Sequence, residues 1–273
     1  MRIGIDARVL TEEKCGTANY VCKLVQYLVK LRPGLEIFLF APEKICAEYE
    51  EFVSLPQVRR VVLEIGREER KKWPVKFLPG LLKEHRIDVF HQPFNADGPL
   101  FRPPCPMVIT ILDLIPWIMK GLFRNWYKEL RYKARNFLWA RIADKVLTIS
   151  QCSQKDIVRL CRVSPEHVVV TYLGADDIYS GEISVQDEHE IMRKYQLLDN
   201  KYIVNMSGLN QQRRNPDFIL EGFAEFCRNS DQDIKLVFTG SVMKAGGFYD
   251  MVLHKMDILG IRDRVVVTGF LSD

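Results

Sequence analysis

Two adjacent arginines precede a predicted helix and are placed to bind an anion. Arg213 and Arg214 stand directly before Asn215, Pro216 and Asp217. Asn is a favoured N-cap residue, Pro suits the first helical position, and a carboxylate in the first turn complements the free backbone N–H groups. Two guanidinium groups beside a partly positive helix N-terminus create a field that a phosphate or diphosphate would relieve. The alternative is that both arginines are simply solvated.

The stretches on either side of this pair predict a strand, a turn and a helix. Residues 202–206 form a short apolar run, typical of a buried parallel strand, which ends at Ser207 and Gly208. After Pro216, apolar residues recur at helical spacing and predict one buried face, formed by Ile219, Phe223, Phe226 and Cys227. The arginine pair therefore belongs to a strand-to-helix turn.

Composition narrows the class of protein. The 273 residues are 47% apolar and 27% charged, which is the balance of a globular chain with one large or two medium domains. A net charge of +4 permits an anionic partner but does not call for nucleic acid. The seven cysteines include no CxxC pair, which favours a reduced, cytoplasmic setting without a disulfide framework or zinc site. The first residues predict a strand rather than a signal peptide, and no apolar run is long enough to span a bilayer.

Alternating strands and helices predict an α/β fold with doubly wound parallel sheets. The predicted strands of the first half cover residues 2–7, 36–41, 58–65, 87–91, 106–112, 146–150 and 168–173, and residues 117–145 form one long helical segment. We expect a first domain at 1–180 and a second, incomplete one at 181–273. Ligands of such sheets bind beyond the carboxyl ends of the strands, which here are the stretch from Asp6 to Gly16, His91, Asp113, Ser150 and Gly174.

Several short motifs, in this order and spacing, resemble the retaining nucleotide-sugar glycosyltransferases of family four, and especially mannosyltransferase-like members of polysaccharide biosynthesis. The motifs are IGIDAR at 3–8, GTANY at 16–20, VFH at 89–91, DLIP at 113–116, ADKVLTIS at 143–150, LGAD at 173–176, Gly208 with Arg213-Arg214-Asn215, and VVTG at 266–269. The resemblance covers the whole chain and implies the GT-B fold of two Rossmann-like domains.

The resemblance also implies the substrates and the donor site. The donor would be a nucleotide sugar, with GDP or UDP as the nucleotide, and no cofactor or metal is expected. Fixed cations would stabilise the departing diphosphate. The acceptor would be a glycan or a lipid-linked sugar at the cytoplasmic face of the inner membrane. The implied donor-binding residues are Gly16, Thr17, Gly208, Arg213, Arg214, Gly240 and Gly269.

On the acceptor side, three polar residues at predicted strand ends are candidates because of their position in the sheet. Asp113 is the candidate catalytic carboxylate, and His91 and Ser150 are candidate acceptor-side residues. Each has a structural alternative, because a histidine ending a short strand is often a satisfied core group and Ser150 is suited to cap the next helix. Asp231 and Asp233 form an acidic pair, but Asp is common in turns, and we assign no metal to them.

Two departures from the family pattern leave a second hypothesis open. Leu112 occupies the position where the family has a histidine, and leucine cannot form a side-chain hydrogen bond. The family's Glu-containing donor segment would lie beyond Asp273, so we expect a fragment with little activity alone. The alternative is a catalytically silent binding or scaffold module of the same fold. An NAD-dependent oxidoreductase is disfavoured because no GxGxxG follows the first strand.

The segment 117–145 mixes basic and aromatic side chains, a composition that suits the surface of an anionic membrane. The alternative is an ordinary helix with its aromatic face in the core. The residues concerned are Lys120, Arg124, Lys128, Arg131, Lys133, Arg135 and Arg141 with Trp117, Phe123, Trp126, Tyr127, Phe137 and Trp139.

Overall fold

The computed structural model describes residues 1–12, 15–95, 102–119, 121–123, 125–176, 179, 181, 184–198, 201–206, 208–209, 214–242, 247–269 and 271. Internal contacts divide the chain into two compact units, residues 1–174 and residues 175–273. The boundary expected from sequence follows residue 180. The two units are described separately below.

The described part of the first unit contains one parallel sheet of seven strands, ordered β3-β2-β1-β4-β5-β6-β7. Its strands are β1 (Arg2–Asp6), β2 (Glu36–Ala41), β3 (Val58–Val62), β4 (Val89–Gln92), β5 (Met107–Thr110), β6 (Lys145–Thr148) and β7 (Val168–Val170). The strand order reverses between β1 and β4, which makes this position the switch point where doubly wound sheets bind ligands. The predicted doubly wound architecture of this unit is confirmed.

Helices cover both faces of this sheet, so its strands are apolar on both sides. In β2, Ile37 and Leu39 enter one core cluster, whereas Phe38 and Phe40 enter the other. All four side chains are at most 3% exposed. The helices of the unit are α1 (Gly16–Leu31), α2 (Glu50–Val53), α3 (Arg67–Arg70), α4 (Leu78–Glu84), α5 (Ile115–Ile118), α6 (Trp126–Ile142) and α7 (Gln151–Cys161).

The second unit contains, within its described residues, a three-stranded parallel sheet ordered β10-β9-β8. Its elements are α8 (Val185–Lys194), β8 (Lys201–Asn205), α9 (Pro216–Asn229), β9 (Ile234–Thr239), α10 (Phe248–Ile258) and β10 (Val265–Gly269). Helices α9 and α10 pack on the sheet through a core that includes Leu220, Phe223, Phe238 and Met256. The predicted apolar face of α9 is therefore confirmed, with Ile219, Phe226 and Cys227 at its margin.

The prediction that β8 is a buried strand is wrong. Ile203 and Val204 are 48% and 46% exposed, respectively. The strand pairs only with β9 among the described strands and so lies at an edge of the sheet. A short apolar run predicts a strand, but it does not specify what covers that strand.

The segment 117–145 is also not one helix. Helix α5 ends at Ile118 and α6 begins at Trp126. Between them Gly121 has a φ of +83°, a left-handed conformation that an α-helix does not contain. Lys120 and Arg124 lie outside the described residues. In the part of the chain that is described, no helix combines the length and apolar character needed to cross a bilayer.

Candidate functional site

The carboxyl ends of β1, β4 and β5 lie side by side at the switch point of the first unit. In the sheet register Ile5 pairs with His91, and His91 pairs with Val108. The residues that end these strands, Asp6, Gln92 and Thr110, therefore meet at one edge. Parallel strands bring their carboxyl ends together, so this edge is where a ligand site is expected.

At the end of β1, a buried ion pair fixes an arginine at this edge. Asp6 is fully buried and accepts from Arg8 through Nε at 3.0 Å and Nη2 at 2.7 Å. The Arg8 backbone N–H also donates to Asp6 Oδ1 at 3.1 Å. The Arg8 guanidinium lies 5.7 Å from the centre of the Phe94 ring. Two parallel N–H···O bonds to the Asp6 carboxylate hold the guanidinium in one orientation at this edge.

Beside this pair, three side chains form a hydrogen-bonded network. His91 Nε2 lies 2.8 Å from Thr110 Oγ1, and the Tyr20 hydroxyl lies 3.1 Å from the same Thr110 oxygen. Burial lowers the pKa of His91 to about 4, so the imidazole is neutral near pH 7. Burial also raises the pKa of Tyr20, against the smaller effect of its hydrogen bond to Thr110. The network links α1, β4 and β5 and fixes the positions of these side chains at the carboxyl edge of the sheet.

The burial of His91 predicts a pH dependence of stability. Between pH 6.5 and about 4 the unfolded imidazole binds a proton that the folded one does not. The unfolded state then holds more protons, so stability falls as the pH is lowered through this window. From pH 7 to pH 5 the loss should be about 2 kcal/mol. Urea unfolding at both pH values should therefore give a shallower pH slope for His91→Gln than for wild type. The control is His189→Gln on the exposed face of α8, and equal slopes for wild type and His91→Gln would refute the assignment.

Asp113 lies in the short connection between β5 and α5, two residues before Ile115. Its Oδ1 accepts from the Ile115 backbone N–H at 3.0 Å, and its carbonyl accepts from Asn95 Nδ2 at 3.2 Å. The carboxylate is half-buried. Burial and, secondarily, the Asp113 charge raise the pKa of Tyr132. Asp113 is thus a carboxylate held at the sheet edge, while the adjacent Leu112 accepts from Thr148 Oγ1 through its carbonyl at 3.5 Å.

The remaining first-unit candidates lie at helix N-termini. Ser150 Oγ accepts from the Ser153 backbone N–H at 3.1 Å, so the alternative that it caps α7 is confirmed. Gly16 is the first residue of α1, and Thr17 follows it half-buried. A Cβ added at Gly16 would meet no atom within 4 Å. The chain's own packing therefore leaves room for a side chain at Gly16.

In the second unit, the three candidate glycines form a row across the carboxyl ends of the strands. The Gly208 N–H donates to the Thr239 carbonyl at 2.8 Å, and the Gly240 N–H donates to the Gly269 carbonyl at 2.9 Å. All three have a positive φ, of +64°, +108° and +75° in chain order. A Cβ at Gly208 would lie 2.6 Å from the Ser241 carbonyl oxygen. Glycine at 208 is therefore required by the close approach of two backbones.

The arginine pair precedes α9 in this unit. Arg213 lies outside the described residues, whereas Arg214 is exposed and directly precedes Asn215. Asn215 occupies the N-cap position and Pro216 begins the helix, as predicted. The prediction that the Asn215 side chain caps the helix is wrong. With φ of 50° and ψ of 52° the residue is left-handed and its side chain forms no cap hydrogen bond, because capping requires an extended N-cap residue.

Sequence reasoning placed Asp6 and Arg8 in the strand-end stretch 6–16 without giving either a role, and it missed Tyr20, Asn95 and Thr110. Tyr20 belongs to the quoted motif GTANY, but its partner Thr110 lies 90 positions away. Within the described residues, no group of three or more His, Cys, Asp or Glu side chains is arranged to hold a metal ion. Asp231 and Asp233 are both exposed and flank the start of β9.

Comparisons with solved structures place this fold among known enzymes. HepE from Anabaena, in complex with UDP-glucose, is 18% identical with a TM-score of 0.65, over 99% of this chain and 69% of HepE. A glycosyltransferase from Rickettsia africae is 12% identical with a TM-score of 0.67, over 100% of this chain and 69% of that one. WaaG, a glycosyltransferase involved in lipopolysaccharide biosynthesis, is 14% identical with a TM-score of 0.63, over 100% of this chain and 71% of WaaG. These structures confirm the predicted GT-B type of α/β fold.

A family model extends the comparison from fold to sequence. No curated protein sequence matches the chain. The model described as Glycosyltransferase Family 4 matches residues 15–178, which is more than half of the 273 residues. The match begins just before Gly16 and includes His91, Asp113 and Ser150, so it spans most of the edge described above. The chain therefore belongs to glycosyltransferase family 4.

Proposed function

We propose that the chain transfers a hexose, in the first instance mannose, from a nucleotide sugar to a glycan or lipid-linked acceptor with retention of the anomeric configuration. The observation that carries this proposal is the family match over residues 15–178. The similarity in fold to HepE, whose structures contain UDP, UDP with glucose, and UDP-glucose, supports a nucleotide-sugar donor. The nucleotide would be UDP or GDP, and no cofactor or metal is required by the proposal.

The donor would be held by backbone and by cations. Gly208, Gly240 and Gly269 form a row without side chains at the carboxyl edge of the second sheet, which suits the close approach of a nucleotide. Arg213 and Arg214 would neutralise the diphosphate as its bond to the sugar breaks. Cations that are already in place where negative charge develops lower the activation barrier, because the site does not have to reorganise during the reaction.

The start of α1 supports a further donor contact. Packing within the chain does not require glycine at position 16, because an added Cβ would meet open space. A ligand that closely approaches the backbone at the start of α1 would require glycine at position 16, because a side chain there would occupy the same space. We therefore assign Gly16 and Thr17 to the donor side, where the free N–H groups of the helix N-terminus favour a phosphate.

The acceptor would bind at the edge of the first sheet. Asp113 is the proposed catalytic carboxylate, since it is half-buried and held in place through Ile115 and Asn95. The low pKa of His91 argues against a general base near pH 7, so its proposed acceptor-side role is as a neutral hydrogen-bonding group through Thr110. Ser150 would contribute by fixing the start of α7 at the same edge.

The proposed setting is the cytoplasm, with peripheral contact at the inner face of the membrane. Trp126, Tyr127 and Leu130 on α6 are 75%, 59% and 55% exposed. The exposed Lys128 and Arg131 lie on the same helix. Exposed aromatic and basic side chains together favour an anionic lipid surface, where a lipid-linked acceptor would be found.

The test is transfer itself. The chain is incubated with a bacterial membrane lipid extract and, separately, radiolabelled GDP-mannose and UDP-glucose. We expect one donor to label the extract, with release of an equal amount of nucleoside diphosphate. Proton NMR of the product then gives the anomeric configuration. If neither donor labels the extract, the proposal is contradicted.

A second candidate function is a catalytically silent binding module of the same fold. Leu112 favours it, because the position where the resemblance expects a histidine offers no side-chain hydrogen bond to a sugar. This module would bind a nucleotide without transferring a sugar, so saturable nucleotide binding with no labelled product would support it over the transferase.

A further inference from the structure

A cavity of about 340 Å³ lies in the first unit, beside the sheet edge, and the proposed function uses two of its lining residues, Lys128 and Arg131, only for general contact with an anionic surface. Helix α6 supplies most of its lining, including Lys128, Arg131 and Arg135. These residues are spaced three and four apart, so they lie on one face of the helix. Phe123 and Tyr132 form an apolar wall, with ring centres 5.4 Å apart.

The electrostatics of the cavity favour an anion. Among the described residues that line it, three are cations and none is a carboxylate. Burial and, secondarily, the charge of Arg8 lower the pKa of Arg135, which places that guanidinium in a positive and partly desolvated environment. Asp113 is a neighbouring carboxylate whose charge contributes to the raised pKa of Tyr132, and its Oδ1 accepts from the Ile115 backbone N–H. A phosphate would therefore gain charge-assisted hydrogen bonds here.

A second, independent observation concerns Asn136, which lines the cavity and is fully buried. Its Nδ2 donates to the Tyr132 carbonyl at 2.9 Å. Its Oδ1 is buried and has no hydrogen-bond partner. A buried acceptor without a partner has lost its hydrogen bonds to water, so this atom favours a ligand that brings a hydroxyl donor.

We infer that this cavity binds a phosphorylated saccharide, with the phosphate at Lys128, Arg131 and Arg135 and a sugar hydroxyl at Asn136. The inference rests on the proposed function, since it names the acceptor as a sugar that carries a phosphate. The cavity adjoins Asp113, because Asn95 lines it and donates to both the Asp113 backbone carbonyl and the Tyr132 hydroxyl, and the charge of the Asp113 carboxylate contributes to the raised pKa of Tyr132, which also lines the cavity. A sugar held here would present its free end toward Asp113.

The test is calorimetric titration of the full chain with glucose 1-phosphate, glucose and inorganic phosphate. We expect glucose 1-phosphate to bind more tightly than either of the others, because only it engages both the cations and Asn136. The double variant Lys128→Gln/Arg131→Gln should weaken its binding at least about tenfold, since each lost cation removes a charge-assisted hydrogen bond. The matched control is Lys155→Gln/Arg159→Gln, which removes two exposed charges from α7. Circular dichroism verifies that both variants fold.

Three results would overturn the inference. The first is that glucose 1-phosphate does not bind, and the second is that it binds equally to wild type and Lys128→Gln/Arg131→Gln. The third is that this variant loses sedimentation with phosphatidylglycerol vesicles while glucose 1-phosphate does not compete, which would assign the cations to a lipid surface. In each case the transfer assay remains an independent test, because label can still reach an acceptor without a phosphate. Conversely, if glucose 1-phosphate binds but no sugar is transferred, the inferred cavity site stands and the proposed transferase activity is rejected.

Discussion

Replacement of Gly208 by valine is expected to destabilise the second unit by about 2–5 kcal/mol, because a left-handed L-residue costs about 1–2 kcal/mol and a forced contact about 1–3 kcal/mol. The φ of Gly208 is +64°, and an added Cβ would lie 2.6 Å from the Ser241 carbonyl oxygen and 3.1 Å from its nitrogen. Both are backbone atoms, which cannot move aside as a flexible side chain would. A β-branched residue is especially unfavourable at a positive φ.

Gly222 provides the matched control for this prediction. It lies within α9, is exposed, and an added Cβ there would meet nothing within 4 Å. Gly222→Ala should therefore stabilise the helix by about 0.5–1 kcal/mol. Hydrogen exchange of peptides from β9 and β10 measures both effects, since these strands open when the unit unfolds. If β9 in Gly208→Val is as protected from hydrogen exchange as in wild type, then packing does not require glycine at position 208.

Local patterns predicted most of the secondary structure because each element has its own signal. A continuous apolar run locates β2 and apolar residues at helical spacing locate α7, each within a residue or two, and Ser150 caps α7 as its type suggests. The exposure of β8 could not be predicted, because it depends on which strand lies beside it. Nor could the left-handed Asn215, since Asn is favoured both as an N-cap and in that conformation.

The candidate site was less predictable because its residues meet through the sheet. Tyr20 and Thr110 are 90 positions apart yet share a hydrogen bond. Likewise Asn95 reaches Tyr132 across 37 positions to complete the wall of the basic cavity. Residue types suggested His91 and Asp113, but only the register of β1, β4 and β5 brings the partners of His91 to the same edge.

The second large effect is expected at the arginine pair. Arg213→Ala/Arg214→Ala should weaken nucleoside diphosphate binding about a hundredfold, because two charge-assisted hydrogen bonds to the diphosphate are lost. Arg214 is exposed beside the start of α9, so its removal should leave the fold intact. The matched control is Arg193→Ala/Lys194→Ala, an adjacent and exposed basic pair at the end of α8.

Titration of UDP and of GDP into the wild-type chain and these two double variants tests the central claim most directly. The account predicts saturable binding of one nucleotide to wild type, unchanged in Arg193→Ala/Lys194→Ala and about a hundredfold weaker in Arg213→Ala/Arg214→Ala. Equal affinity in all three proteins, or no binding of either nucleotide to wild type, would contradict it.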